Sequence, residues 1–208
     1  MMRTFSSMFK NKEIRNKILF TLAMLLIYRV GSAIPVPGVD ATKLASQISD
    51  NSVLSMMNLL GGGALERLSV FAMGVTPYIT ASIIIQLLSM DVIPALTEMT
   101  KSGQTGRMKM EKITRYLGVV LSFVQAYSLV YGFDKQYSVL ANSSLSGYLY
   151  TATVLTAGTM FLIWLGDRIS MKGIGNGLSI IIFAGIVSNM PSQFMQVWNV
   201  LAGGTTQG

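Results

Sequence analysis

A hydrophobic stretch at residues 59–88, LLGGGALERLSVFAMGVTPYITASIIIQLL, is interrupted by glycines, by the pair Glu66-Arg67 and by Pro77. It is too long for one helix of a soluble domain, and its polar start is unfavourable against lipid. Within a membrane, non-helical backbone occurs only where protein or a water-filled cavity satisfies its polar groups. The stretch therefore predicts a broken membrane helix, an element that commonly lines a transport pathway.

Composition supports a membrane protein over a soluble domain. Apolar residues make up 51% of the 208 residues, charged residues 12%, and the mean hydropathy is +0.52. In an average soluble domain about a quarter of the residues are charged. The chain has no Cys and no His, which removes disulfides, the commonest metal ligands and the usual general base. Because the predicted spans contain no carboxylate or His and the chain has no nucleotide motif, we predict no enzymatic activity, and we predict no cofactor.

Five apolar segments predict membrane spans, at 18–36, 72–90, 116–133, 145–166 and 178–190. The remaining segments are a basic lead-in at 1–17, external connections at 37–71 and 134–144, cytoplasmic loops at 91–115 and 167–177, and an external tail at 191–208. The prolines at 35 and 37 stop the first span, and Pro191 ends or kinks the fifth. The glycine-rich GIGNG at 173–177 follows no predicted strand, so it predicts an entry to a helix and no phosphate site.

The basic residues predict the orientation of these spans. Twelve of the 16 Lys and Arg residues precede the first span or lie in the loops after the second and fourth spans, and three lie on the opposite side. Cytoplasmic loops of membrane proteins carry such an excess of positive charge. The N-terminus is therefore predicted to be cytoplasmic and the C-terminus external. The net charge of +7 is explained by this topology without a nucleic-acid partner.

Four motifs, in this order along the chain, carry a family resemblance. They are YRVGSAIPVPGVD at 28–40, GGGALERLSVFAMGVTPYITASIIIQLL at 61–88, GQTGRMKMEKITRYL at 103–117 and GIGNGLSIIIFAGI at 173–186. Together they resemble the SecY/Sec61-alpha family of channel-forming subunits of the Sec protein translocon, over essentially the whole chain. Members of that family resemble a pair of five-span halves that are inverted relative to each other. The resemblance implies an all-α polytopic membrane protein with five transmembrane helices and a broken, partly re-entrant second span. It would form one inverted-repeat half of a SecY-type channel, the N-terminal one.

The resemblance also assigns candidate site residues. The family's pore ring, an aliphatic gasket around the translocating chain, aligns with Val75, Ile79, Ile182 and Ile186. The plug that closes the external funnel aligns with residues 55–69, and its candidates are Met57, Leu60, Gly61, Gly62, Gly63, Leu65 and Arg67. The lateral gate, through which signal sequences reach lipid, aligns with Thr80, Ile83 and Gln125. The residue pattern by itself leaves simpler interpretations open, since apolar pairs four apart usually only pack and buried polar groups often only join helices.

The function that the resemblance implies is passage of unfolded secretory chains across the bacterial cytoplasmic membrane and lateral release of membrane segments. The implied partners are secretory and membrane preproteins, SecE, SecG, SecA or the ribosome, the second half of SecY or another copy of this half, and the lipid bilayer. One alternative is half of a small-solute transporter, a class that usually needs charged groups at the midplane. The others are a structural fragment and a half-length homologue that forms an antiparallel dimer, which the charge bias opposes.

Overall fold

A computed structural model describes residues 11–40, 58, 63–90, 92–140 and 143–203. Within these ranges the regular secondary structure is helical, with six α-helices and only isolated β-bridges beside them. The helices are α1 Lys12–Ala33, α2 Thr76–Leu88, α3 Pro94–Lys101, α4 Gln104–Tyr137, α5 Leu145–Lys172 and α6 Gly177–Gly203. The predicted all-α class is confirmed.

Three of the described helices, α1, α4 and α5, are long and apolar enough to cross a membrane. Two further apolar helices, α2 and the part of α6 at Gly177–Ser188, are shorter. A bilayer core of about 30 Å needs about 20 helical residues, and α2 has 13. Three helices of spanning length agree with the predicted membrane character, whereas the division into five spans stays a prediction.

The helix ends differ from the predicted spans. The first helix begins at Lys12, where the Asn11 side chain accepts a hydrogen bond from the Glu13 amide. Helix α3 and the first turns of α4 occupy most of the predicted cytoplasmic loop at 91–115. Pro191 lies inside α6, which continues to Gly203, so most of the predicted tail is helical. Proline has no amide hydrogen, so the carbonyl one turn earlier loses its hydrogen bond within the helix. Membrane helices tolerate this because neighbouring groups can supply the missing donor.

Helix α5 is central among the described helices, since it packs against α1, α4 and α6. Helix α2 packs against α4, where buried residues recur at every fourth position: Thr114, Gly118, Ser122, Ala126 and Val130. A methyl group at Gly118 would be in ordinary contact with Tyr78 and Ala81 of α2. Small residues of this kind let helices approach closely where lipid gives no hydrophobic driving force.

The GIGNG motif forms a tight turn between α5 and α6. The Asn176 side chain accepts hydrogen bonds from the amides of Leu178 and Ser179 at 3.1 and 3.4 Å, which caps α6. The Gly177 amide donates to Ser170 Oγ at 2.8 Å, and a methyl group at Gly177 would overlap the α5 backbone. The motif therefore starts α6 and lets it approach α5 closely. The predicted helix entry is confirmed.

Candidate functional site

Non-helical backbone precedes α2. Residues 63–75 form turns, and α2 begins at Thr76. The Asn58 carbonyl accepts a hydrogen bond from the Gly63 amide, and the Asn58 side-chain oxygen accepts one from the Glu66 amide, both at 2.9 Å. Asn58 thus supplies acceptors for two amides of the interrupted segment. Whether the segment is re-entrant in a bilayer stays a prediction.

The plug candidates fall in different environments. Those outside the described residues are Met57, Leu60, Gly61 and Gly62. Leu65 is buried in a core cluster, whereas Arg67 is exposed. Gly63 has a φ of +81°, a left-handed conformation that glycine adopts without a steric penalty. The plug assignment of these residues stays a prediction.

Residues 68–71, which we call the root segment, are hydrogen-bonded to the chain that leaves α1. The Val36 amide donates to the Leu68 carbonyl at 3.1 Å. The Val70 amide donates to the Ile34 carbonyl, also at 3.1 Å. These two bonds form a short antiparallel bridge, which attaches the root segment to the end of α1.

The Phe71 side chain lies in an aromatic stack. Its ring is nearly parallel to that of Tyr28, with centroids 6.2 Å apart, and to that of Phe161, with centroids 5.9 Å apart. A methyl group at Gly31 would overlap the Phe71 ring, so the ring occupies the space that this glycine leaves on α1. The stack therefore joins α1, the root segment and α5.

The four pore-ring candidates are partly brought together. Val75 is 6% exposed and shares a buried cluster with Ala64 of the turn segment, and Ile182 packs against the same cluster. Ile79 and Ile186, one helical turn further along α2 and α6, are 37% and 41% exposed. Val75 thus lies in the core, Ile182 lies against it, and the other two candidates lie on the surface. Their role in a pore stays a prediction.

The lateral-gate candidates lie on α2 and α4, which pack against each other. The Thr80 hydroxyl donates to the Thr76 carbonyl at 3.1 Å, so its polar group is satisfied within α2. Gln125 is half-buried on α4, and Ile83 is 51% exposed. The gate assignment is not tested by this arrangement and stays a prediction.

Helix α2 has two apolar faces. The buried one, at a four-residue spacing, consists of Pro77, Ala81 and Ile85. The other consists of Ile79, Ile83 and Leu87, which are exposed. A helix that is apolar on opposite faces is expected to be covered on both. The second face of α2 is therefore available for a pore, a partner or lipid.

Sequence reasoning missed two polar links between helices. Arg115 of α4 binds Glu111 at 2.7 Å and Asp167 of α5 at 2.8 Å. Arg29 of α1 donates to Ser188 of α6 at 3.1 Å. The basic residues of the predicted loop at 91–115 were interpreted only as determinants of membrane topology. The partners of Arg115 and Arg29 in other helices are distant in sequence, so they leave no local signal. Within the described residues, no group of His, Cys, Asp and Glu could hold a metal ion.

Sequence reasoning also missed a buried carboxylate beyond the predicted span 116–133. Asp134 accepts hydrogen bonds from the Tyr148 hydroxyl at 2.5 Å and from the Leu140 amide at 3.0 Å. Burial raises the pKa of this carboxyl. The hydrogen bonds from Tyr148, Leu140 and Ser143 outweigh burial, so the pKa lies below its ordinary value. Asp134 thus ties the end of α4 to the following loop and to α5.

Comparison with known proteins identifies the family. Residues 69–207 match the family model described as SecY. The chain belongs to the SecY family. It is 52% identical over 200 residues to the protein translocase subunit SecY of Bacillus subtilis, and 48% identical over 198 residues to that of Staphylococcus aureus. These alignments cover 95% and 94% of this SecY-family chain but 46% of each relative, so it spans about half the length of the curated relatives it matches.

Solved structures have the same fold as this SecY-family chain. One is a chain of Sec61 in the canine ribosome-channel complex, with a TM-score of 0.68 and 18% identity, covering 93% of this chain and 43% of that one. Another comes from a structure described as that of a protein conducting channel, with a TM-score of 0.67 and 18% identity, covering 93% of this chain and 42% of that one. At this identity the likeness supports the fold alone.

Proposed function

We propose that this chain forms one half, the N-terminal one, of a protein-conducting channel that passes unfolded secretory chains across the cytoplasmic membrane. The observation that carries the proposal is the exposed aliphatic face of α2, which continues directly from the buried turn segment at 63–75. A pore-lining helix and the segment that closes the pore are then consecutive in the chain. The role is passive, with no catalytic step.

The proposed pore is a ring of aliphatic side chains. Ile79 and Ile186 supply exposed branched side chains, and Val75 and Ile182 lie one turn before them. Such a constriction excludes ions because a narrow apolar passage is poorly wetted, and it offers an unfolded chain no polar partner to hold it. Thr80, Ile83 and Gln125 would form this half's part of the lateral gate.

The finer assignments belong to the same proposal. Positive charge before the first predicted span and in the segment before the predicted third span supports a cytoplasmic N-terminus, and the five apolar segments support five spans. A bacterial inner-membrane location is supported by the two bacterial relatives. The proposed partners are the second half of the channel, SecE, SecG, SecA or the ribosome, and preproteins. The exposed aliphatic face of α2 is the surface that we propose the second half of the channel faces.

Replacing the matching segment of the Bacillus subtilis relative with this chain tests the proposal directly. We expect the chimera to export a reporter with a signal sequence in cells depleted of the native relative, because half of the aligned residues are identical. Secretion of the reporter is the measurement, and the native relative expressed from the same promoter is the control. A chimera that accumulates in the membrane but exports no reporter would contradict the proposal.

Crosslinking tests the pore ring. The chain has no cysteine, so a single cysteine can be placed at Ile79 or, as a matched control, at the exposed Val120 on the outer face of α4. With a reporter chain stalled in the chimera, we expect crosslinks from position 79 and none from position 120. Equal crosslinking at both positions would sink the assignment of Ile79 to the pore.

A further inference from the structure

Three sets of contacts hold the root segment in place. The first is the pair of hydrogen bonds to the chain after α1. In the second, α5 approaches so closely that a methyl group at Gly158 would overlap the Val70 carbonyl. In the third, the Phe71 ring fills the space at Gly31. Backbone enclosed in this way has little freedom to shift.

The residues that flank the root segment are the ones that the channel proposal needs. Ala64 of the plug region, Phe71 and Val75 of the pore ring belong to one buried cluster together with Tyr28. Val75 lies four residues after Phe71, at the N-cap of α2. Interiors are close-packed, so a displacement of the Phe71 ring is transmitted to both neighbours.

From this geometry we propose that Phe71 is a positioning residue of the channel. Its ring, which fills the space at Gly31 and stacks with Tyr28 and Phe161, sets the closed position of the plug residues at 63–67 relative to the pore ring. Phe71 does not line the pore, because it is buried among the helices. This inference rests on the proposed function, since it concerns the closure of that channel.

The surroundings of the Phe71 ring also indicate how the ring would respond to a larger side chain at position 31 of α1. Phe71 and Gly31 both line an open apolar groove of about 470 Å³, together with residues of α5 such as Val154 and Phe161. A methyl group at Gly31 would push the ring, and the groove provides space into which it can move. The change is therefore expected to displace the Phe71 ring and to leave the helices folded.

The test uses Gly31→Ala in the Bacillus subtilis chimera, reconstituted in vesicles with its partner subunits and without a preprotein. We expect ion flux per channel through the resting channel to rise about tenfold, the population shift that corresponds to about 1.4 kcal/mol of overpacking. The matched control is Gly132→Ala on α4, where an added methyl group meets no atom within 4 Å. Its flux should equal that of the unmodified chimera.

Two further variants keep the test decisive. Phe71→Leu removes the ring from the space at Gly31, so the resting channel of this variant should leak as well. This variant tests the inference even if Gly31→Ala fails to fold. The double variant Gly31→Ala with Phe71→Leu should leak less than Gly31→Ala, because the smaller side chain leaves room for the added methyl group. A purely structural role would lower the amount and thermal stability of the channel without changing the flux per channel.

The outcomes separate this inference from the proposed function. If the unmodified chimera exports the reporter and neither Gly31→Ala nor Phe71→Leu leaks, the positioning role of Phe71 is overturned and the channel function stands. A leak of equal size in Gly132→Ala would also overturn the positioning role, since such a leak would not depend on the space at Gly31. An unmodified chimera that exports nothing contradicts the proposed function itself.

Discussion

Gly158→Ala should destabilise this half by about 1–3 kcal/mol, the usual cost of forcing extra volume into a close-packed interior. The added methyl group would overlap the Val70 carbonyl oxygen and would lie 2.8 Å from its carbonyl carbon. Both partners are backbone, so neither can give way by changing a rotamer. Helix α5 is buried on several faces, and the root segment is hydrogen-bonded to the chain after α1. Thermal unfolding of the purified chimera in detergent measures the effect.

Gly132→Ala provides the control for that prediction, with the opposite expected sign. Gly132 lies in α4, and an added methyl group there meets no atom within 4 Å. Alanine in a helix is favoured over glycine by about 0.5–1 kcal/mol, so this variant should be slightly more stable. If the two variants lose stability equally, the close approach of α5 to the root segment is not the cause.

Asp134→Asn should also destabilise the protein by about 1–3 kcal/mol, because it places an amide donor where the carboxylate accepts hydrogen bonds. Asp134 is 5% exposed and accepts from the Tyr148 hydroxyl and the Leu140 amide. One of these donors would face the new amide hydrogens without an acceptor. Tyr148→Phe, which removes one donor and keeps the carboxylate, is the matched variant and should lose less. Equal losses in both variants would contradict this explanation.

The same carboxylate predicts a dependence of stability on pH. Because the folded-state pKa of Asp134 lies below its ordinary value, folding is favoured by the ionised form. The contribution is complete above the unfolded-state pKa, near pH 4, and is lost as the pH falls through the folded-state value. The stability difference between the unmodified protein and Asp134→Asn should therefore be largest at neutral pH and shrink in acid. A difference that is constant from neutral pH into acid would contradict the assignment.

Several features of the fold were predictable because their causes are local. Glycines weaken helix formation within a few residues, and a segment of turns indeed precedes α2, although the helix begins at Thr76 and the predicted span began at 72. GIGNG predicted a helix entry, and Asn176 caps α6 there. The helix ends were less predictable. Helix α4 starts well before its apolar part, because charged residues at its beginning are compatible with a helix that extends beyond lipid.

The candidate site was predictable only in part. Spacing and resemblance pointed to Val75 and Ile79 as a pair on one face of α2, but not to the burial of one and the exposure of the other. That difference depends on Ala64 and Phe71, which pack against Val75 after the chain turns back. The links of Arg115 to Asp167 and of Tyr148 to Asp134 were missed, because each joins two helices.

The amino-acid sequence by itself determined the helical class, the membrane character, the break before α2 and the family, since these follow from hydropathy, local backbone preference and motifs. Only the tertiary structure decided that Gly31 and Gly158 enclose Phe71 and Val70. A glycine in an apolar helix has the same local pattern whether its missing side chain makes room for lipid, for a partner helix or for a ring. Which of these fills the space depends on contacts between residues far apart in the chain, and those exist only after the helices have packed.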